Sequence, residues 1–105
     1  MRILFDQGTP VPLRDHLADH VIETAFELGW STLENGALLA AAEDSFDLLI
    51  TTDQKLRYQQ NLSGKKLSIL VLMTTSWPRI EKNVPLILEA INRLSPGELL
   101  EITLP

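Results

Sequence analysis

The sequence predicts a single α/β domain with a mainly parallel central sheet covered by helices on both sides. Three observations carry that expectation. The runs Ile3-Leu4-Phe5 and Leu48-Leu49-Ile50 are apolar without alternation, the pattern of strands buried on both faces of a parallel sheet. Segments of helical character fall between the apolar runs, so the connections read as crossovers. With 105 residues, 45% of them hydrophobic, the chain can bury one core without staples, and residues 1–105 are expected to form one domain.

The first strand covers residues 2–5 and ends at Asp6. Gly8-Thr9-Pro10 then makes a turn, with Thr9 as N-cap and Pro10 at the first position of a helix over 10–18. Val21 to Ala25 is a second strand, and Leu28-Gly29-Trp30 leads into a turn. The alanine-rich run Ala37 to Glu43 favours helix, with Asn35 or Ser31 as its cap. Asp47 to Thr52 is the third strand, followed by a short polar helix from Gln54 to Asn61 that Ser63-Gly64 ends. Leu67 to Met73 is the fourth strand. Ile80, Val84, Ile87, Leu88, Ile91 and Leu94 recur at helical spacing, which predicts one long amphipathic helix up to Ser95-Pro96-Gly97. Glu98 to Leu104 closes as an edge strand.

Nine basic against 14 acidic residues give a net charge of −5, which argues against a nucleic-acid coating protein but not against a nuclease. The absence of cysteine excludes disulfides, thiolate zinc sites and cysteine nucleophiles, and fits the cytoplasm as the expected location. Met1-Arg2 leads straight into a short strand rather than a secretory apolar segment, and no stretch reaches the ~18 apolar residues of a membrane span. Neither export nor membrane insertion is expected, so Asn61-Leu62-Ser63 reads as a loop. No phosphate-cradling GxxxxGK(S/T) or GxGxxG motif and no nucleophile elbow is present.

Chemistry concentrates where the two most apolar strands end. Ligands of open α/β sheets bind outside the carboxyl ends of the strands, so Asp6 and Asp53 are expected to meet there despite their separation in sequence. Two carboxylates in one crevice suit a divalent ion. The plainer alternative is that each acid holds a loop by accepting backbone N–H bonds. Lys55, Arg57, Tyr58, Gln59, Gln60 and Asn61 follow Asp53, a mixture able to grip phosphates and stack a base. Their plain alternative is an exposed amphipathic helix with Leu56 and Leu62 facing inward. Lys65 and Lys66 extend Lys55 and Arg57 into a basic rim. His16 and His20, four apart, have zinc spacing without a clear third ligand, and read better as a solvated helix end. Glu43, Asp44 and Asp47 read as a solvated helix end and loop, Trp30 as core, and Trp77 as core or lid.

Taken together, Ile3-Leu4-Phe5-Asp6, Glu27-Leu28-Gly29-Trp30, Asn35-Gly36 with Leu38-Leu39 beyond, Thr52-Asp53-Gln54 and Leu56-Arg57-Tyr58-Gln59-Gln60-Asn61-Leu62 resemble the PIN-like domain family, which is related to VapC-type toxin ribonucleases. The resemblance covers essentially the whole chain, and its specific part is the Thr-Asp-Gln and Tyr-Gln-Gln-Asn-Leu segments. It implies a three-layer α/β/α PIN-like fold and an acidic Mg²⁺ or Mn²⁺ site that activates water to cut RNA. It also implies an antitoxin protein as partner, and a homodimer is compatible with the way related toxins associate. Asp6 matches the family's first acid and Asp53 the acid after the middle strand. Where relatives carry an acid at the start of the middle helix this chain has Ala37, and where many carry one two residues past the second match it has Lys55. Glu34, three residues before Ala37, is the candidate substitute ligand. A degenerate module that binds RNA or a protein partner without cleaving is the competing expectation, favoured by Ala37 and Lys55. A response-regulator-like domain also places acids at strand ends, but the acidic pair and late lysine it requires are missing.

Overall fold

A computed structural model describes residues 1–56 and 65–105. Five strands, β1 (Arg2–Phe5), β2 (Val21–Thr24), β3 (Leu48–Thr51), β4 (Ser68–Leu72) and β5 (Leu99–Ile102), form one sheet in the order β2-β1-β3-β4-β5. Every pairing is parallel, so the expected mainly parallel sheet is wholly parallel. The helices are α1 (Asn35–Glu43), α2 (Trp77–Lys82) and α3 (Val84–Arg93), with a 3-10 turn over Val11–His16.

Strand pleating sends alternate side chains to opposite faces, and two cores result. Ile3, Phe5, Leu48, Ile50, Leu70 and Leu72 join Leu13 and Leu17 of the first connection with Ile80, Ile87 and Ile91 of α2 and α3 on one face. Leu4, Leu49, Ile69 and Val71 join Leu38, Leu39 and Ala42 of α1 on the other. The central strands β3 and β4 are buried along their whole length, which is why Leu48-Leu49-Ile50 and Ile69-Leu70-Val71-Leu72 are apolar, while the buried hydroxyls of Thr51 and Ser68 at the strand ends are hydrogen-bonded. Burying each such side chain contributes about 1.5–3 kcal/mol relative to exposure. On the α1 face Trp30 meets Phe46 edge-on at 6.2 Å between centroids, and the Arg2 guanidinium lies 5.0 Å over the Phe46 ring. Trp30 and Trp77 are both half-buried at the margins of the two cores rather than within them.

The differences from expectation fall mainly in the helices. The first helix is a 3-10 turn preceded by Pro10 and carrying Pro12 in its first turn, and Thr9 does not cap it. The Thr9 hydroxyl instead donates to the Ile50 carbonyl at 2.8 Å. The long helix expected near the C-terminus is two helices parted at Asn83, whose φ of −113° and ψ of 18° end α2. Pro85 has no N–H to give the Glu81 carbonyl, so the apolar spacing survives while the hydrogen-bond ladder does not. Asn83 secures the break by donating from Nδ2 to the Arg79 carbonyl at 2.8 Å and the Pro105 carbonyl at 3.1 Å. At α1 the cap position is Glu34 rather than Asn35 or Ser31, and no side-chain cap bond forms. Gly29, at φ 74°, makes the turn after β2 in a conformation that L side chains avoid. The helix expected from Gln54 to Asn61 lies largely outside the described residues.

Candidate functional site

The chain passes outward from β1 to β2 and then returns across β1 to β3, so the winding reverses between β1 and β3. The segments leaving these two strands part to opposite faces. Leu13 and Leu17 after β1 join one core, and Leu56 after β3 joins the other. In open α/β sheets such divergence marks the carboxyl edge where ligands bind, and Asp6 and Asp53 follow β1 and β3 there.

One buried hydroxyl connects them. Thr51 Oγ1 donates to Asp6 Oδ2 at 2.7 Å and accepts the Asp53 backbone N–H at 3.0 Å. Asp6 Oδ1 accepts the Gln7 N–H at 2.7 Å, and Asp53 Oδ1 accepts the Lys55 N–H at 3.0 Å. The loop-holding role considered for each acid is therefore real, and each carboxylate accepts a backbone N–H just beyond its own strand. The Asp6 N–H continues the ladder to the Ile50 carbonyl at 3.0 Å, so the acid starts from a rigid strand end. Gly8 is needed for a different reason than conformational freedom. A Cβ there would stand 2.6 Å from Thr52 Oγ1, so only glycine lets the two loops approach this closely.

Glu34 is exposed at the start of α1. Among the described residues no three His, Cys, Asp or Glu side chains gather to hold an ion, so Glu34 does not complete a three-acid group with Asp6 and Asp53. Lys55 is exposed beside Asp53, whereas Arg57, Tyr58, Gln59, Gln60 and Asn61 lie outside the described residues. Lys66 does not belong to a rim with Lys55. Its N–H is held by Glu43 Oε1 at 2.9 Å just before β4, which is the amino edge of the sheet. In a parallel sheet one strand's exit and the next strand's entrance lie at opposite edges, which separates residues close in sequence. Asp47 serves the same amino edge by accepting the Arg2 N–H at 2.8 Å, so the acidic run braces backbone there. His20 Nδ1 stands 3.3 Å from the N-terminal amine while the His16 ring lies 5.9 Å from that of Trp77, and the pair makes no zinc site.

Comparisons with protein-family models, with curated proteins and with solved structures found no match. Function therefore has to be read from the residues of the carboxyl edge. No helix among the described residues is long and apolar enough to cross a membrane.

A second constellation at this edge was not anticipated from the sequence. Thr24 and Glu27 brace each other, the Thr24 N–H donating to Glu27 Oε1 at 2.9 Å and the Glu27 N–H to Thr24 Oγ1 at 3.1 Å. Arg14 from the 3-10 turn reaches the same carboxylate, through Nη1 to Oε2 at 3.3 Å and through Nη2 to Oε1. The signal was the Thr-x-x-Glu spacing of Thr24 and Glu27 directly after a strand, which is the spacing of a capping box. The Arg14 guanidinium, with the Thr24 N–H, holds the Glu27 carboxyl down at about 2, and Glu27 in turn raises Arg14. Because the folded value lies below the ordinary 4.5, the contribution of this pair is complete above that pH and is lost as pH falls toward 2. The difference in thermal midpoint between the wild type and Glu27→Gln, followed by circular dichroism in pH steps, should therefore be constant above about pH 5 and shrink below it. A difference independent of pH would show that the carboxylate is not what matters.

Proposed function

We propose that the chain is a PIN-like protein of the three-layer α/β/α type whose Asp6 and Asp53 hold Mg²⁺ or Mn²⁺ for ribonuclease chemistry. It would act in the cytoplasm as the toxin of a toxin and antitoxin pair. The observation that carries this reading is the Thr51 hydroxyl joining the Asp6 carboxylate to the Asp53 backbone at the point where the winding reverses. The donor set suits the ion. Mg²⁺ is commonly held by one or two carboxylates with waters and substrate phosphates completing its shell. A carboxylate offers about four acceptor positions, and Thr51 and Gln7 take two at Asp6, leaving room for an ion.

When bound, a hard divalent ion there supplies Lewis-acid activation of water and neutralises charge at a scissile phosphate. The chain's own residues do the rest. Thr51 stops the Asp6 carboxylate from rotating, and the Lys55 N–H does the same for Asp53. The exposed Lys55 ammonium is two residues from Asp53, where it can meet a phosphate oxygen. A non-cleaving module that binds RNA or a protein is the second reading, and it is favoured by the lack of a three-acid group among the described residues together with Ala37 and Lys55.

Calorimetric titration of the metal-stripped protein with Mn²⁺ separates the two. The wild type should bind one ion, and an Asp6→Asn, Asp53→Asn double variant should bind at least about tenfold more weakly, the equivalent of ~1.4 kcal/mol. No binding to either protein, or equal binding to both, would remove the nuclease and leave the module.

A further inference from the structure

The first connection and the turn after β2 enclose a cavity of about 260 Å³ beside Asp6. Its walls are largely apolar, with Val11 and Phe26 on them and Gln7, Arg14 and Glu27 among the polar residues that line it. Phe26 is 77% exposed, the most exposed of the large apolar side chains in the described residues, and it adjoins this cavity rather than either core. An aromatic ring left in water at the mouth of an apolar cavity is a stacking platform.

Charge decides what kind of ring it takes. The one cation on the wall, Arg14, is engaged by Glu27 through both terminal nitrogens, and Asp6 adds a further negative charge. With two carboxylates against one guanidinium on the wall, a phosphate or carboxylate is disfavoured inside the cavity. The volume lies just under the ~300–1,000 Å³ of clefts for drug-sized ligands, which fits one ring system. The polar groups at the cavity are suited to the edge of such a ring. Gln7 is exposed and offers both a donor and an acceptor. Neutral, planar and bearing donors and acceptors in its plane describes a nucleobase.

We propose that this cavity receives a single unpaired nucleobase of an RNA strand, stacked on Phe26 and read at its edge by Gln7, with the strand's phosphate outside the cavity, at the ion that Asp6 and Asp53 would hold. The RNA part of this inference rests on the nuclease reading, while the base pocket has its own test. Amide shifts of the ¹⁵N-labelled protein, recorded with each of the four ribonucleosides and with phenol, report the pocket directly. At least one nucleoside should move the amides of Gln7, Gly8, Phe26 and Glu27 at millimolar concentration, and Phe26→Ala should weaken that binding about tenfold or more, as loss of base stacking does. Phenol, a ring without a base edge, should move them far less. No shift with any nucleoside, equal shifts with phenol, or full binding to Phe26→Ala would each overturn the pocket, whatever the Mn²⁺ titration gives. Nucleoside shifts with a flat Mn²⁺ titration would keep the pocket and remove the nuclease. A single-stranded oligonucleotide then joins the two, because an abasic position should weaken its binding if the base enters the cavity, and equal binding with and without that base would overturn the RNA assignment.

Discussion

Phe5→Ala is expected to remove about 3–5 kcal/mol of stability, a large share of the ~5–15 kcal/mol that holds a domain of this size together. Phe5 is fully buried at the last position of β1, in register with Thr24 of β2 on one side and Ile50 of β3 on the other. It packs in the core that joins the sheet to the first connection and to α2 and α3, so its loss opens a cavity in that core one residue before Asp6. A shift of about 4–8 °C per kcal/mol places the thermal midpoint of the variant roughly 12–40 °C lower. Urea unfolding, where midpoint and slope are read separately, is the measurement to make. A loss below about 1 kcal/mol would mean that this end of β1 is not packed as described. Phe5→Leu keeps much of the buried volume and should lose clearly less.

The sheet was legible because its central strands obey one rule. Leu48-Leu49-Ile50 and Ile69-Leu70-Val71-Leu72 are buried on both faces, and a continuous apolar run meets that requirement most simply. The edge strand β5 was legible by a weaker signal, and it came out as Leu99–Ile102 rather than the longer segment expected. The helices were less readable because side-chain spacing and backbone hydrogen bonding are separate conditions. Ile80, Val84, Ile87 and Ile91 keep helical spacing across Asn83, yet Pro85 cannot continue the ladder. In the first connection the helix is a 3-10 turn, and the Thr9 hydroxyl, expected as its cap, bonds across to Ile50 instead.

For the site, parallel strands made the pairing of Asp6 and Asp53 at one edge foreseeable from sequence. What connects them was not foreseeable, because a threonine ending an apolar strand looks like any other β-branched residue until the neighbouring strand end is in place. Arg14 and Glu27 escaped notice for the same reason: they are 13 residues apart and meet only because β1 and β2 pair in parallel. Lys66 drops out of the expected basic rim because it enters β4 from the edge opposite to the one where β3 ends, which its place in the sequence does not reveal.

Thr51→Val is the variant that weighs loop-holding against ion binding. Valine keeps the shape of threonine at the fully buried end of β3, so packing is preserved while the hydroxyl is lost. Asp6 Oδ2 then loses a donor and the Asp53 N–H loses its acceptor, which should cost about 1–3 kcal/mol in urea unfolding. Thr51→Ser retains both bonds and serves as the control, losing only a buried methyl group. If the two acids are an ion site, Mn²⁺ affinity should fall about tenfold or more in Thr51→Val and stay near wild type in Thr51→Ser, because a hydrogen bond to a charged group is worth roughly 1.5–3 kcal/mol. If Thr51→Val loses stability while Mn²⁺ binding is unchanged, the hydroxyl braces two loops and the ion is held by other groups. The carboxyl edge would then be a rigid platform for a partner, and the module would become the better account of this chain.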